Sequence, residues 1–229
     1  MTTEKLHFKT SSGIKSIVGK DLITDKFVAI FELVKNSYDA GAKQVTITFD
    51  KDKIIIVDDG HGMSKNDLVE KWLNLAYSEK KEGSLSNKER IYVGSKGIGR
   101  FSCDRLGKNL DNDIKKDEKI YHLKINWEDF ENQEDYSVEI NQIPMKLREI
   151  SLDEVFKETS YKIVSKGTII KISHLRDKWM EFNNQSLFNE ILNYQKFISL
   201  KSSLEKLINK SQVESDNFKI FLKVSDIDD

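Results

Sequence analysis

Phe31-Glu-Leu-Val-Lys-Asn-Ser-Tyr-Asp-Ala-Gly41 is the stretch from which the rest of the chain is read. Phe27, Ile30, Phe31, Val34 and Tyr38 recur at helical spacing, which predicts an amphipathic helix from about Thr24 to Ala40. Gly41 then supplies a left-handed cap. Glu32, Asn36 and Asp39 stand at i, i+4 and i+7, so they share a second stripe. Two readings of that stripe stay open on this segment alone. It is a solvated polar face, or it is a water-activating carboxylate one turn from a neutral metal-binding oxygen.

Composition narrows the classes. With 229 residues the chain is long enough for a substantial core. Lys plus Arg number 37 against 38 Asp plus Glu, a net charge of −1, so no global field favours nucleic acid or an anionic membrane. Nucleic acid is left to regions outside the motifs described below. The single cysteine, Cys103, excludes an intrachain disulfide and a thiolate metal cluster, and reads as a packed core thiol. His7, His61, His122 and His174 share no metal-ligand spacing. No apolar signal region opens the chain and no run is long enough to span a bilayer, so the expectation is a cytoplasmic protein without a membrane partner. Trp72, Trp127 and Trp179 read as packing residues rather than base-stacking ones.

Outward from the helix, Gly13 to Lys20 is not a P-loop: its glycines are one residue too far apart, and Asp21 stands where Ser or Thr is required. Val45–Phe49 alternates and Ile54–Val57 is a continuous apolar run, together a hairpin whose second strand is buried. That strand runs into Asp58-Asp-Gly-His-Gly-Met63, after which Ser64 and Asp67 form a capping box for a helix carrying Leu68, Trp72 and Leu75. Residues 78–90 read as a long polar loop ending in Val93-Gly-Ser-Lys-Gly-Ile-Gly-Arg-Phe-Ser102, a glycine-rich turn feeding a helix that stops near Gly107. Residues 108–119 read as a charged loop, and Ile120–Trp127 with Tyr136–Ile143 as paired strands, the second closed by Pro144. A short helix at Leu152–Glu158, a strand pair Tyr161–Val164 and Thr168–Ser173, a helical region from about Ser186 to Ile208 and a strand over Phe218–Val224 complete the expectation.

Three of these stretches carry chemistry. A carboxylate at the end of a buried strand is unfavourable unless it has a donor to hold, and Asp58 is so placed. The glycines after it let a flat ligand lie against the backbone, and the exocyclic amine of adenine is a suitable donor; an ordinary tight turn is the competing reading. Gly94-x-x-Gly97-x-Gly99 lets backbone N–H groups converge at a helix N-terminus, an arrangement suited to a polyphosphate.

Glu-x-x-x-Asn-x-x-Asp-Ala-Gly, then Asp-Asp-Gly-His-Gly-Met, then Gly-Ser-Lys-Gly-Ile-Gly-Arg-Phe, resembles in order and spacing the Bergerat-fold ATPases, the superfamily of gyrase B, Hsp90, histidine-kinase and MutL ATP-binding domains. The resemblance covers Lys26 to Gly107 and resumes at Lys166-Gly-Thr-Ile169. It implies an α/β (α+β) two-layer sandwich: a mixed, mostly antiparallel sheet covered on one face by helices, with ATP between the layers. It implies ATP and Mg²⁺ as ligands, Asn36 on the metal, Asp58 accepting the adenine amine and Thr168 holding a water beside it. Gly60 and Gly62 would border the base, Gly94, Gly97 and Gly99 would wrap the phosphates, and Asp39 would support the pocket. Ala40, Met63, Lys96, Ile98, Arg100 and Phe101 complete the nucleotide-binding set that the resemblance implies, and residues 78–93 would be a mobile ATP lid. Asp59 departs from the Asn found in many relatives at that position.

Glu32 separates two enzyme classes. In-line attack on a γ-phosphate by water needs a group to orient and deprotonate it, and Glu32 is one turn from Asn36. Histidine kinases commonly lack a Glu there, and no histidine of this chain falls in a plausible phosphoacceptor helix. The expectation is therefore a slow ATP hydrolase, with lid closure coupled to conformational change or to an ATP-dependent homodimer. The alternatives are a nucleotide-gated interaction module with little hydrolysis and a histidine kinase-type catalytic domain. Residues 1–229 read as one ATPase domain, the N-terminal part of a longer protein; hydrolytic relatives of the gyrase and MutL kind take a γ-phosphate-contacting lysine from a following domain, and none is identified in this sequence.

Overall fold

Residues 23, 25–74, 101–131, 138–179, 198–206, 208 and 217–224 are described by the computed structural model. Helix α1, Lys26–Asp39, begins where Asp25 Oδ1 accepts hydrogen bonds from the N–H groups of Phe27 (2.6 Å) and Val28 (3.3 Å). It ends through Ala40 into Gly41, whose φ of 69° is the expected left-handed exit. Strands β1 (Gln44–Phe49) and β2 (Lys53–Asp58) form the expected antiparallel hairpin. Ser64 and Asp67 make the capping box, but α2 (Lys65–Asp67) is a single turn that widens into a π turn over Leu68–Trp72. After α3 (Ser102–Leu106) come β3 (Gly107–Lys115), β4 (Ile120–Asn126) and the short α4 (Glu128–Glu131). Then follow β5 (Lys146–Ile150), α5 (Leu152–Thr159) and β6 (Gly167–Leu175). Residues 198–206 are helical, and β7 (Lys219–Val224) is the last strand.

The seven strands form one sheet in the order β5-β4-β3-β6-β2-β1-β7. Every neighbouring pair is antiparallel except β1 with β7. This is the mixed, mostly antiparallel sheet that was expected. Alternation along β2 sorts the faces. Ile54 and Ile56 join Leu33, Val34 and Tyr38 of α1, Leu106 of α3, and Leu110 and Ile114 of β3 in the large core beneath the helices. Ile55 and Val57 point the other way, into a smaller cluster with Ile169, Ile120, Ile150 and Val155 of α5. Among the described residues, the second face thus carries the short helix α5.

Three expectations differ from the structure. Residues 108–119 are not a loop throughout, because Gly107–Lys115 is an inner strand. Its charges are cross-strand pairs: Asp113 is 1% exposed and meets His122 Nδ1 at 2.6 Å, and Asp111 lies 3.5 Å from His122 Nε2 and 3.4 Å from Lys171 Nζ. The partners of β4 are not Tyr136–Ile143, of which Ile140–Gln142 is a 3₁₀ turn; they are β3 and β5, the latter following Pro144. As an edge strand, β5 exposes Lys146, Arg148 and Glu149, so its apolar signal is weak. Tyr161–Val164 forms no strand. Ile163 is buried there, Val164 is 88% exposed, and the Tyr161 hydroxyl shares a 2.5 Å hydrogen bond with Thr48 Oγ1. Leu75 and residues 186–197 lie outside the described residues.

Candidate nucleotide-binding site

The site starts from the end of β2. Register puts Asp58 opposite Thr168 on β6, both on the helix-covered face. Ser37, on the buried stripe of α1, donates its hydroxyl to Asp58 Oδ2 at 3.0 Å, and the Gly60 N–H donates to Oδ1 at 2.9 Å. Burial nevertheless dominates and pushes the Asp58 carboxyl up from 3.8 to about 6, against the Gly60, Ser37 and Thr168 hydrogen bonds that favour the charged form. A carboxylate so placed is poised to accept a further donor.

The loop after Asp58 is fastened on both sides. Asp59 Oδ1 accepts from the N–H groups of Lys43 (2.7 Å) and Gln44 (3.0 Å), and the His61 N–H donates to Ala40 O at 2.9 Å. An Asn at position 59 would offer an amide oxygen as acceptor where Asp59 offers a carboxylate oxygen, so the Asp59 departure keeps this clasp. Gly62 has φ +62°, and a Cβ there would lie 1.9 Å from Lys115 O. Gly167, with φ +143°, approaches the Asp58 carbonyl so closely that a Cβ would lie 2.2 Å from it. Both glycines are required by the protein's own backbone packing, before any ligand is considered.

Among the described residues, Asp58 is bordered by side chains that keep partial exposure. Thr168 and Ile170 belong to an inner strand and face the helices, yet both keep partial exposure, as does Met63. On α1 the predicted polar stripe divides. Asn36 is exposed and Glu32 partly so, with Glu32 Oε1 held by Lys35 Nζ at 2.8 Å, whereas Asp39 is buried. Phe101 turns into the core against Trp127, ring centroids 5.9 Å apart. Cys103 is the buried thiol expected, pushed up to about 12 by burial. Trp127 and Trp179 are buried and Trp72 packs on the main core. Gly94, Lys96, Gly97, Ile98, Gly99, Arg100 and the lid segment 78–93 lie outside the described residues.

Helix α3, which leads out of the glycine-rich turn, is anchored by residues that the motifs do not contain. Arg176 Nε donates to Asp104 O at 2.7 Å, and its terminal nitrogen reaches Asp104 Oδ1 (2.7 Å) and Glu131 Oε1 (2.8 Å). Arg105 pairs with Asp177. Sequence reasoning also passed over Ser37; the available signal was a hydroxyl on the apolar stripe of Leu33, Val34 and Tyr38.

A model of the histidine kinase-, DNA gyrase B- and HSP90-like ATPase family matches residues 24–161, more than half of the chain. The chain belongs to this ATPase family. Its sheet and helices are those of the family's α/β fold, and ATP binding is the family's shared property. The domain is 27% identical to the mitochondrial TNF receptor-associated protein 1 homolog of Dictyostelium discoideum, over 88% of this chain and 29% of that protein. It is 30% identical to the chaperone protein HtpG of Rickettsia massiliae (strain Mtu5), over 44% of this chain and 20% of that one. The ATPase-family chain thus spans less than a third of the length of either relative. A solved structure of the N-terminal domain of a DNA repair protein aligns over 92% of the chain and 52% of that chain, with a TM-score of 0.49 and 18% identity.

Among the described residues no group of three or more His, Cys, Asp or Glu is arranged to hold a metal. An ATP-bound Mg²⁺ does not need one, since that ion keeps several waters and takes phosphate oxygens with one or two protein ligands. The exposed Asn36 amide suits that donor set. No described helix is long and apolar enough to cross a membrane.

Proposed function

We propose that this domain binds Mg²⁺–ATP and hydrolyses it slowly to ADP and phosphate, closing residues 78–93 over the nucleotide and coupling that closure to association of two copies. The observation that carries the reading is the Asp58 carboxylate, held by Ser37 and Gly60 at the edge of a cleft floored by Thr168 and Ile170. In this reading Asp58 accepts the adenine amine and Thr168 orders a water beside it. Gly60, Gly62, Ala40 and Met63 border the base, with Asp39 bracing the helix end. Asn36 takes the magnesium, which when bound screens the phosphate charge. Gly94, Lys96, Gly97, Ile98, Gly99 and Arg100 enclose the phosphates, with Phe101 anchoring the turn in the core. Residues 1–229 act as one ATPase domain.

Glu32 is the general base for the attacking water. Its Glu32→Ala variant keeps ATP affinity within about threefold in calorimetry and loses about 10²-fold or more in ADP release. Full turnover in that variant removes Glu32 from the mechanism. A second reading, a nucleotide-gated interaction module, is favoured by the Lys35 ion pair that occupies Glu32. The two separate on ADP production against an ATP-dependent change in mass by light scattering. Turnover of roughly 1–100 per second, the range of ordinary kinases, contradicts both the second reading and the slow rate given to the first.

A further inference from the structure

Among the described residues four buried side-chain atoms have no hydrogen-bond partner: Ser102 Oγ, Asn112 Oδ1, Trp127 Nε1 and Trp179 Nε1. Asn112 stands apart by its neighbours. It lies on the inner strand β3, 1% exposed, with Leu110 and Ile114 of the main core two residues to either side. That alternation turns its side chain to the helix-covered face, the face that also carries Asp58 and Thr168. Register places it directly beside Ile170, and Ile170 is followed across β6 by Ile56. The adjacent row is Ile114, Thr168 and Asp58. Ile170 and Thr168 are partly exposed, so the accessible surface beside Asp58 extends to Ile170, the strand neighbour of Asn112. A carboxamide buried with an unmatched acceptor among isoleucines and leucines carries its full desolvation penalty, and an apolar side chain of similar volume would relieve it.

We propose that Asn112 is a base-recognition residue at the floor of the nucleotide cleft, its Oδ1 accepting a hydrogen bond from the bound nucleobase or from a water that the base holds in place. The assignment rests on the nucleotide reading of Asp58 and adds a polar contact in the base end of the cleft. It gives the orphan acceptor a partner only when ligand is present, so folding and binding are affected in opposite directions. A purely structural asparagine affects them in the same direction.

The test uses Asn112→Leu, of similar size, and Asn112→Val, suited to a strand, in the full chain. Thermal midpoint and calorimetric affinity for Mg²⁺–ATP are measured, with inorganic tripolyphosphate as a probe without a base. The expected result is a thermal midpoint equal to or above that of the unmodified protein and ATP affinity lowered about 5- to 30-fold. Tripolyphosphate affinity is unchanged, because the contact lies at the base. Unchanged ATP affinity in a folded variant overturns the assignment, and so does failure of both variants to fold, which makes Asn112 structural. Absence of ATP binding by the unmodified protein removes the nucleotide reading and this assignment with it, whereas intact ATP binding with insensitive variants removes this assignment alone.

Discussion

Asp58 combines a strand-end position legible in the sequence with an environment that is not. Its carboxyl titrates near pH 6 because burial outweighs the Ser37 and Gly60 hydrogen bonds. The sign follows directly. An acid whose folded-state value lies above its ordinary 3.8 binds its proton more tightly when folded, so its contribution to stability falls as pH rises from 3.8 to about 6 and is flat above. Binding is expected to run the other way: in the proposed reading the ionised carboxylate is the acceptor, so Mg²⁺–ATP affinity should be constant above the transition and decline as pH falls through about 6. Ser37 favours the ionised form, and its removal raises the Asp58 value further. In Ser37→Ala the decline therefore begins at higher pH than in the unmodified protein, by calorimetry across pH 5–8. Phosphate titration is common to both proteins and cancels in the comparison. An onset that does not move shows that the Ser37 hydroxyl has no hold on Asp58.

Among the elements, α1 and the β1–β2 hairpin were predicted nearly to their ends, because each carries its own periodicity and its own cap. Strand β3 was missed because Asp111 and Asp113 look solvated until His122 and Lys171 are brought alongside. Helix α3 poses a similar case. It has only five residues, too few to hold its place by local hydrogen bonding, and Arg176 ties it to the end of β6. Asp104 is 1% exposed, so removing the guanidinium withdraws a charged partner from a buried carboxylate. Arg176→Ala is expected to lower the urea unfolding free energy by about 2–4 kcal/mol, somewhat less than for a fully buried broken pair because Arg176 retains some exposure. Arg176→Lys recovers less than half, since a lysine cannot reach the Asp104 carbonyl, its carboxylate and Glu131 with one fork. Equal stability of all three proteins shows that the bridge is dispensable.

At the scale of the molecule, the sheet joins strands separated by most of the chain. Strand β7 lies parallel to β1, with Ile220 buried and Phe218 set edge-on to Tyr38 of α1 at 5.4 Å. Removing residues 217–229 leaves β1 as an open edge strand. The expected outcome is a loss of at least about 2 kcal/mol, the burial of one such aliphatic side chain, together with concentration-dependent association by light scattering. Asp58 and Thr168 are inner to this edge, so the folded fraction keeps its ATP affinity within about threefold; a truncated protein as stable and monodisperse as the parent contradicts the role given to β7.

What the sequence determined by itself was local. Helical spacing in α1, the buried run of β2, the left-handed exit at Gly41 and the ordered motifs around Asn36, Asp58 and Gly94 each depend on residues close together in the chain. What only the tertiary structure decided was the company those residues keep. Ser37 against Asp58 and Arg176 on α3 depend on how the helices pack on the sheet, and the charged pairs of β3 and the unmatched acceptor of Asn112 depend on strand register. Register brings together groups tens of residues apart, and their mutual desolvation has no counterpart in a local window.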